Sequence, residues 1–136
     1  RGESLDFSFS GLKTSLLDHI KKRDFPFTED ELRDVAASYQ EAIIDVLVEK
    51  TLKAAEIHSI SSIVVCGGVA ANSRLRERFA DESKVKGIHV HIPPPIFCTD
   101  NAAMIAVVGE HLLTRGLRDS FDLNAVSRWP LDSLLK

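Results

Sequence analysis

The stretch Ile60-Ser-Ser-Ile-Val-Val-Cys-Gly-Gly-Val-Ala-Ala-Asn72 constrains the fold of this chain more than any other. Its β-branched run, Ile63 to Val65, reads as a short strand. Through Cys66 it enters the pair Gly67-Gly68, and a helix-forming segment starts almost at once. Strand, tight turn and helix N-terminus follow one another within a dozen residues. Lacking Cβ atoms, Gly67 and Gly68 are free to take positive φ and to bring backbone N–H groups close to a ligand. The unpaired donors of the helix start and the positive end of its dipole favour a phosphate or carboxylate there. The same residues also suit a plain strand-to-helix connection, since two glycines are a far weaker signature than a full phosphate loop.

The 136 residues are about one domain, enough to bury a real core. Apolar residues make up 44% and charged residues 27%, the balance of a soluble globular protein, and no apolar run is long enough to span a membrane. The net charge of −3 carries no basic footprint for nucleic acid, so such binding needs a local patch or a partner chain. Cys66 and Cys98 fit neither a disulfide framework nor a zinc ribbon, and a reduced, cytoplasmic setting is the expectation. The polar start, Arg1-Gly-Glu-Ser-Leu-Asp6, has no signal peptide and no initiator Met, as expected of a piece of a longer protein.

In chain order, Ser8 or Ser10 is a candidate cap for a helix to about Lys22, with Leu12, Leu16, Leu17 and Ile20 on one face. Pro26 blocks its continuation. Thr28-Glu-Asp-Glu31 has the form of a capping box before a long helix ending near His58. Its apolar stripe reads Leu32, Val35, Ala36, Tyr39, Ala42, Ile43, Val46 and Leu47, with Leu52 and Ala55 continuing it more weakly. After the central turn, Asn72 to about Asp81 is a helix with Leu75 and Phe79 inward and Arg74, Arg76 and Arg78 largely outward. Those arginines suit a solvated face, or an acidic ligand or RNA. Ile88-His-Val-His-Ile92 alternates as a strand, placing His89 and His91 together on one side. Two histidines on one strand with no third ligand make a poor metal site. Pro93-Pro94-Pro95 ends the strand, and Thr99 is a plausible cap for a helix in which Ala102 to Val108 are apolar nearly all round, the pattern of a buried helix ending near Arg115-Gly116. Leu117 to Lys136, with Trp129-Pro130, reads as a tail over the domain.

Strand, helix and strand in this order predict a parallel pair, whose ligand crevice lies off the carboxyl ends of the strands. Asn72 and Asp100 are therefore expected to face a common ligand from two helix N-termini. Each also has a plain role, Asn72 as a cap and Asp100 as a first-turn acid favoured by the dipole. As a ligand for a metal, Asp100 needs at least two more donors, and none is near it in sequence. No Ser/His/Asp arrangement, activated Cys or Walker-type loop is visible.

Three segments carry a resemblance: Phe7-Ser-Phe-Ser-Gly-Leu-Lys-Thr14, Val65-Cys-Gly-Gly-Val-Ala-Ala-Asn-Ser-Arg-Leu-Arg76 and Phe97-Cys-Thr-Asp-Asn-Ala-Ala-Met-Ile-Ala106. Together they resemble the carboxyl-terminal half of the bacterial tRNA adenosine threonylcarbamoyltransferases, the TsaD family, once labelled O-sialoglycoprotein endopeptidases. The resemblance implies an α/β, actin-like ATPase (ASKHA) fold, here a partial second lobe, helix-rich with a small parallel β-pair. Residues 1–58 would be two helices, 60–116 a βαβα ligand-binding unit and 117–136 a tail. It implies transfer of threonylcarbamoyl from threonylcarbamoyl-AMP to the adenosine 3′ of the anticodon in tRNAs reading A-starting codons. Gly67, Gly68 and Asn72 match the family's substrate- and nucleotide-binding residues, and Asp100 matches its ligand for iron or zinc. Adenine nucleotide or threonylcarbamoyl-AMP is the implied ligand; tRNA and TsaB-like and TsaE-like proteins are the implied partners.

The family's paired metal-binding histidines and first phosphate loop are absent from this chain, so it is expected to be inactive alone and to self-associate through exposed surface. Ala102 stands where many relatives carry Gly, a change a helix tolerates. A sugar-kinase-like phosphotransferase lobe and a non-catalytic scaffold subunit of the same system are the alternatives. Retention of Asn72 and Asp100 argues against the scaffold.

Overall fold

Thr28 starts the longest element of the structure. In this computed structural model, which describes residues 4–23 and 26–128, Thr28 Oγ1 accepts the Glu31 N–H at 3.3 Å and Glu31 Oε2 accepts the Thr28 N–H at 2.9 Å. This capping box opens α2 (Glu29–Ile57), and the hydrogen bonds from Thr28 hold the Glu31 carboxyl below its usual pKa. The 29 residues of α2 make a rod of roughly 44 Å at 1.5 Å per residue. Before it comes α1 (Phe9–Lys21), capped in position by Ser8 without a side-chain hydrogen bond and burying no residue fully.

Two compact units make up the chain, Arg1–Thr99 and Asp100–Lys136. In the first, β1 (Ser62–Val64) pairs in parallel with β2 (His89–His91), Ile63 opposite Val90. Val65 N–H extends the ladder to His91 O at 3.0 Å. Between the strands lie a 3-10 turn (Gly68–Ala71) and α3 (Ser73–Lys86), which ends at Gly87 in the left-handed region, φ 65°. This helix is longer than the pattern to Asp81 predicts, because Ser83 is buried and the chain turns only at Gly87.

The core joins Ile44, Val48, Leu52 and Ala55 of α2 to Leu75 and Phe79 of α3 and to Ile88, with Ile63, Val65, Val90 and Ile92 of the sheet layer packed against them. Full burial of each large side chain contributes about 1.5–3 kcal/mol. The buried stripe of α2 coincides only in part with the one its spacing suggests: Leu52 and Ala55 are in the core and Leu47 packs against it. Leu32 is 58% exposed, and Val35, Ala36 and Tyr39 belong to surface clefts. α2 carries two apolar stripes with three-and-four spacing, and the sheet and α3 cover only the one through Ile44 and Val48.

The second unit contains α4 (Ala102–Thr114). Its cap is Asn101, whose Oδ1 accepts the Met104 N–H at 3.2 Å, and not Thr99. Gly116 follows the helix at φ 78°, as a left-handed stop. The expectation that α4 is buried fails: Ile105, Val107, Val108 and Leu113 are all more than half exposed. All-round apolarity records a need for cover, and the described residues of the second unit do not provide it among themselves. Leu117 to Arg128 have no helix or strand and are exposed; Trp129-Pro130 lies outside the described residues. No helix among the described residues is long and apolar enough to cross a membrane.

Candidate functional site

The carboxyl end of β1 leads into backbone that only glycine adopts readily. Gly67 has φ 94° and ψ 172°, a region essentially closed to residues with a Cβ. Gly68 differs from the expectation for the pair, since its φ is not positive and a Cβ built on it meets nothing within 4 Å. The first glycine is thus required by conformation, and the second leaves open space in front of the turn. A helix does not begin directly after the pair. The 3-10 turn intervenes, held by Ala70 N–H to Gly67 O at 2.9 Å and Asn72 N–H to Val69 O at 3.0 Å.

Asn72 caps α3: its Oδ1 accepts the Leu75 N–H at 2.9 Å. Its Nδ2 donates to Oε1 of Gln40 on α2 at 3.0 Å. An amide nitrogen carries two hydrogens, so one donor of Asn72 remains for a ligand. At the helix start the first N–H groups of α3 also lack intrahelical partners. Beside them, Tyr39, Ile43, Leu47, Val69 and Leu75 line an apolar cleft of about 390 Å³ that Gln40 and Asn72 also border. Gly67, Gly68 and Asn72 thus belong to one turn, and the Asn72 amide at its end borders the apolar cleft.

The arginines of α3 do not form the solvated face expected of them. Arg74 donates through Nε to Glu41 Oε2 at 2.9 Å and through a terminal nitrogen to Glu41 Oε1 at 2.8 Å. Arg78 reaches Glu41 Oε1 at 2.6 Å and Asp45 Oδ1 at 2.9 Å. The Arg74 hydrogen bonds, followed by the Arg78 bond, lower the Glu41 pKa to about 2, against the opposing effect of desolvation. Both guanidinium groups are held more firmly protonated in turn, chiefly by Glu41. Arg76 turns the other way and joins Ala70, Pro93 and Cys98. Gln40 and Glu41 escaped the sequence reading, and Arg76, expected to point outward, instead joins two loops. The spacing of Glu41 and Asp45 by four on α2 was the available signal for a carboxylate pair facing another helix.

Asp100 is exposed and sits one residue before the Asn101 cap, in the second unit, whereas the glycine turn and Asn72 belong to the first. His89 and His91 are exposed on β2 and share a side of the strand. Among the described residues no three His, Cys, Asp or Glu side chains are grouped to hold a metal ion. Cys66 is an exposed free thiol and Cys98 a buried one.

Residues 1–107 match the family described as TsaD, tRNA N6-adenosine threonylcarbamoyltransferase. The chain belongs to the TsaD family. Proteins carrying that enzyme name include one from Syntrophus aciditrophicus, 64% identical over 130 residues, 96% of this chain and 38% of the relative. Another, from Geobacter metallireducens, is 50% identical over 131 residues, again 96% of this chain and 38% of the relative. A third, from Anaeromyxobacter dehalogenans, is 54% identical over 132 residues, 96% of this chain and 39% of the relative. The chain therefore spans well under half the length of these TsaD relatives. Gly67, Gly68, Asn72 and Asp100 all fall inside the TsaD match.

Proposed function

We propose that the full-length polypeptide containing this chain transfers threonylcarbamoyl from threonylcarbamoyl-AMP to N6 of the adenosine 3′ of the anticodon in tRNAs reading A-starting codons. The family match through the glycine turn and Asn72 carries this reading. In the reaction the N6 amine attacks the carbamoyl carbon, the bond from that carbon to the phosphate oxygen breaks, N6 loses a proton, and AMP leaves with its added negative charge. A turn that aims backbone N–H groups at an anion suits that charge development. The Gly67 conformation and the open space before Gly68 support such an approach. The free Asn72 donor fits a ribose hydroxyl or a carbonyl, and the apolar cleft beside it fits the flat face of a nucleoside.

On this reading the chain is a partial second lobe of an actin-like fold, to which a helix-rich unit with one small parallel sheet is suited. Asp100 is proposed as one ligand of an iron or zinc ion. One carboxylate does not make a metal centre, and the described residues hold no complete set. The other ligands would come from elsewhere in the full-length protein, and no step is drawn through the ion. tRNA and TsaB-like and TsaE-like proteins are the proposed partners, in the cytoplasm, and the 136-residue chain alone is proposed to be inactive.

The test is reconstitution of the full-length protein with its partners, tRNA and threonylcarbamoyl-AMP, followed by nucleoside mass spectrometry. Formation of threonylcarbamoyladenosine supports the reading. Phosphorylation of a small substrate instead would favour a kinase-like lobe, and stimulation of another chain's transfer without activity of its own would favour a scaffold.

A further inference from the structure

Arg76 lies in the first turn of α3, where the helix dipole disfavours a cation. Among the described residues no carboxylate is within ion-pair distance of it. Its partners are instead neutral groups on two separate loops. Nε donates to Ala70 O at 2.6 Å, in the turn after β1, and a terminal nitrogen donates to Pro93 O at 2.5 Å, in the loop after β2. The same nitrogen lies 3.2 Å from Cys98 Sγ. Ala70 and Cys98 are each only 2% exposed, so the guanidinium meets buried backbone at one end and a buried thiol at the other. The Cys98 thiol is near Pro93 O as well, at 3.5 Å, which closes the group into one cluster.

We infer that Arg76 is a positioning residue of the candidate site: its planar fork ties the Gly67–Ala71 turn to the Pro93–Cys98 loop and so fixes where the turn's N–H groups point. The inference rests on the transferase reading above. A fork with fixed donor directions does this where a point-charge ammonium does not. Its value is geometric, because a displacement of about 1 Å at a reacting centre costs on the order of a hundredfold in rate.

The experiment uses the full-length protein with its partners, in wild-type and Arg76→Lys forms. It measures kcat and KM for threonylcarbamoyl-AMP, the thermal midpoint, and the alkylation rate of Cys98 by peptide mass spectrometry. Arg76→Lys keeps the charge and loses the fork. The expected result is a kcat lower by about tenfold or more, with KM changed by less than about threefold, and faster alkylation of Cys98. An active wild type with an Arg76→Lys kcat equal to its own overturns the inference alone, even where Cys98 becomes reactive. A rise in KM that accounts for the whole loss also overturns it, because Arg76 would then hold the ligand directly. A wild type that makes no threonylcarbamoyladenosine overturns the transferase reading and this inference with it. Where Arg76→Lys does not fold, Cys98→Ala removes one corner of the cluster and carries the same expectation at smaller size, about two- to fivefold in kcat; an unchanged kcat in that variant overturns the inference.

Discussion

Asn72 and Gln40 hold one another across the α2–α3 interface, Nδ2 of the first donating to Oε1 of the second at 3.0 Å. Because Oδ1 of Asn72 is at the same time the cap of α3, a proposed ligand-binding side chain is also a structural one. Loss of a cap of this kind costs about 0.5–2 kcal/mol. Asn72→Ala is predicted to lower stability by that amount in urea unfolding, whereas Asn72→Asp keeps the cap and stays within about 0.5 kcal/mol of wild type. In the full-length protein both variants are predicted to lose transfer, since both lack the amide donor. Full activity in Asn72→Asp would reduce Asn72 to a cap.

The two glycines are predicted to behave differently. Gly67→Ala forces a Cβ into the conformation at φ 94°, ψ 172°, with a cost of about 1–3 kcal/mol. Gly68→Ala meets no neighbouring atom and is predicted to leave the thermal midpoint nearly unchanged. Its methyl group enters the space proposed for the ligand, so it is expected to raise KM for threonylcarbamoyl-AMP in the full-length enzyme. Equal midpoints for both variants would contradict the backbone assignment.

Glu41 predicts the acid limb of stability. Its folded pKa of about 2 lies below its ordinary value of 4.5, held there first by Arg74. A depressed carboxylate stabilises the fold above its unfolded pKa and loses that contribution as pH falls through the folded one. The contribution is thus present above pH 4.5 and fades toward pH 2. Glu41→Gln removes it, so a titration of unfolding stability should show wild type and variant converging as the pH falls through that window. Arg74→Met is predicted to mimic the variant. Curves that remain parallel down to pH 2 would dissociate Glu41 from the stability of the interface.

The core prediction concerns Leu52 and Phe79, both nearly inaccessible to solvent. Phe79→Ala should cost about 3–5 kcal/mol and Leu52→Ala about 2–5 kcal/mol, by lost burial plus the cavity left behind. Leu32→Ala, at a position 58% exposed, should cost less than about 1 kcal/mol. Denaturant midpoints of the three variants rank them directly.

Local signals were the legible part of the sequence. The capping box at Thr28, the parallel pairing of the two strands and the stop at Gly116 depend on neighbours within a few residues or on the order strand, helix, strand. Choices made by tertiary packing were not legible. Leu32 and Val48 both satisfy helical spacing on α2, yet only Val48 is buried, because α3 and the sheet lie on its side. The arginines of α3 read as solvated for the same reason: Glu41 lies 33 residues from Arg74, and Pro93 lies 17 residues from Arg76. At the candidate site, a tight turn could be read from the glycine pair, but the division of labour between Gly67 and Gly68 could not. The exposed apolar face of α4 has a consequence for the isolated chain. The 136-residue polypeptide is predicted to self-associate in sedimentation experiments, and Ile105→Lys with Val108→Lys to reduce that association.

The most direct measurement is nucleoside mass spectrometry of tRNA treated with the full-length protein and its partners, comparing wild type with Asp100→Ala and Asn72→Ala. The account predicts threonylcarbamoyladenosine from the wild type and a loss of at least about a hundredfold in each variant, the scale at which removal of a group stabilising the transition state is felt. An active wild type matched by both variants would contradict the site. No product from the wild type, with every partner present, would contradict the transferase reading itself.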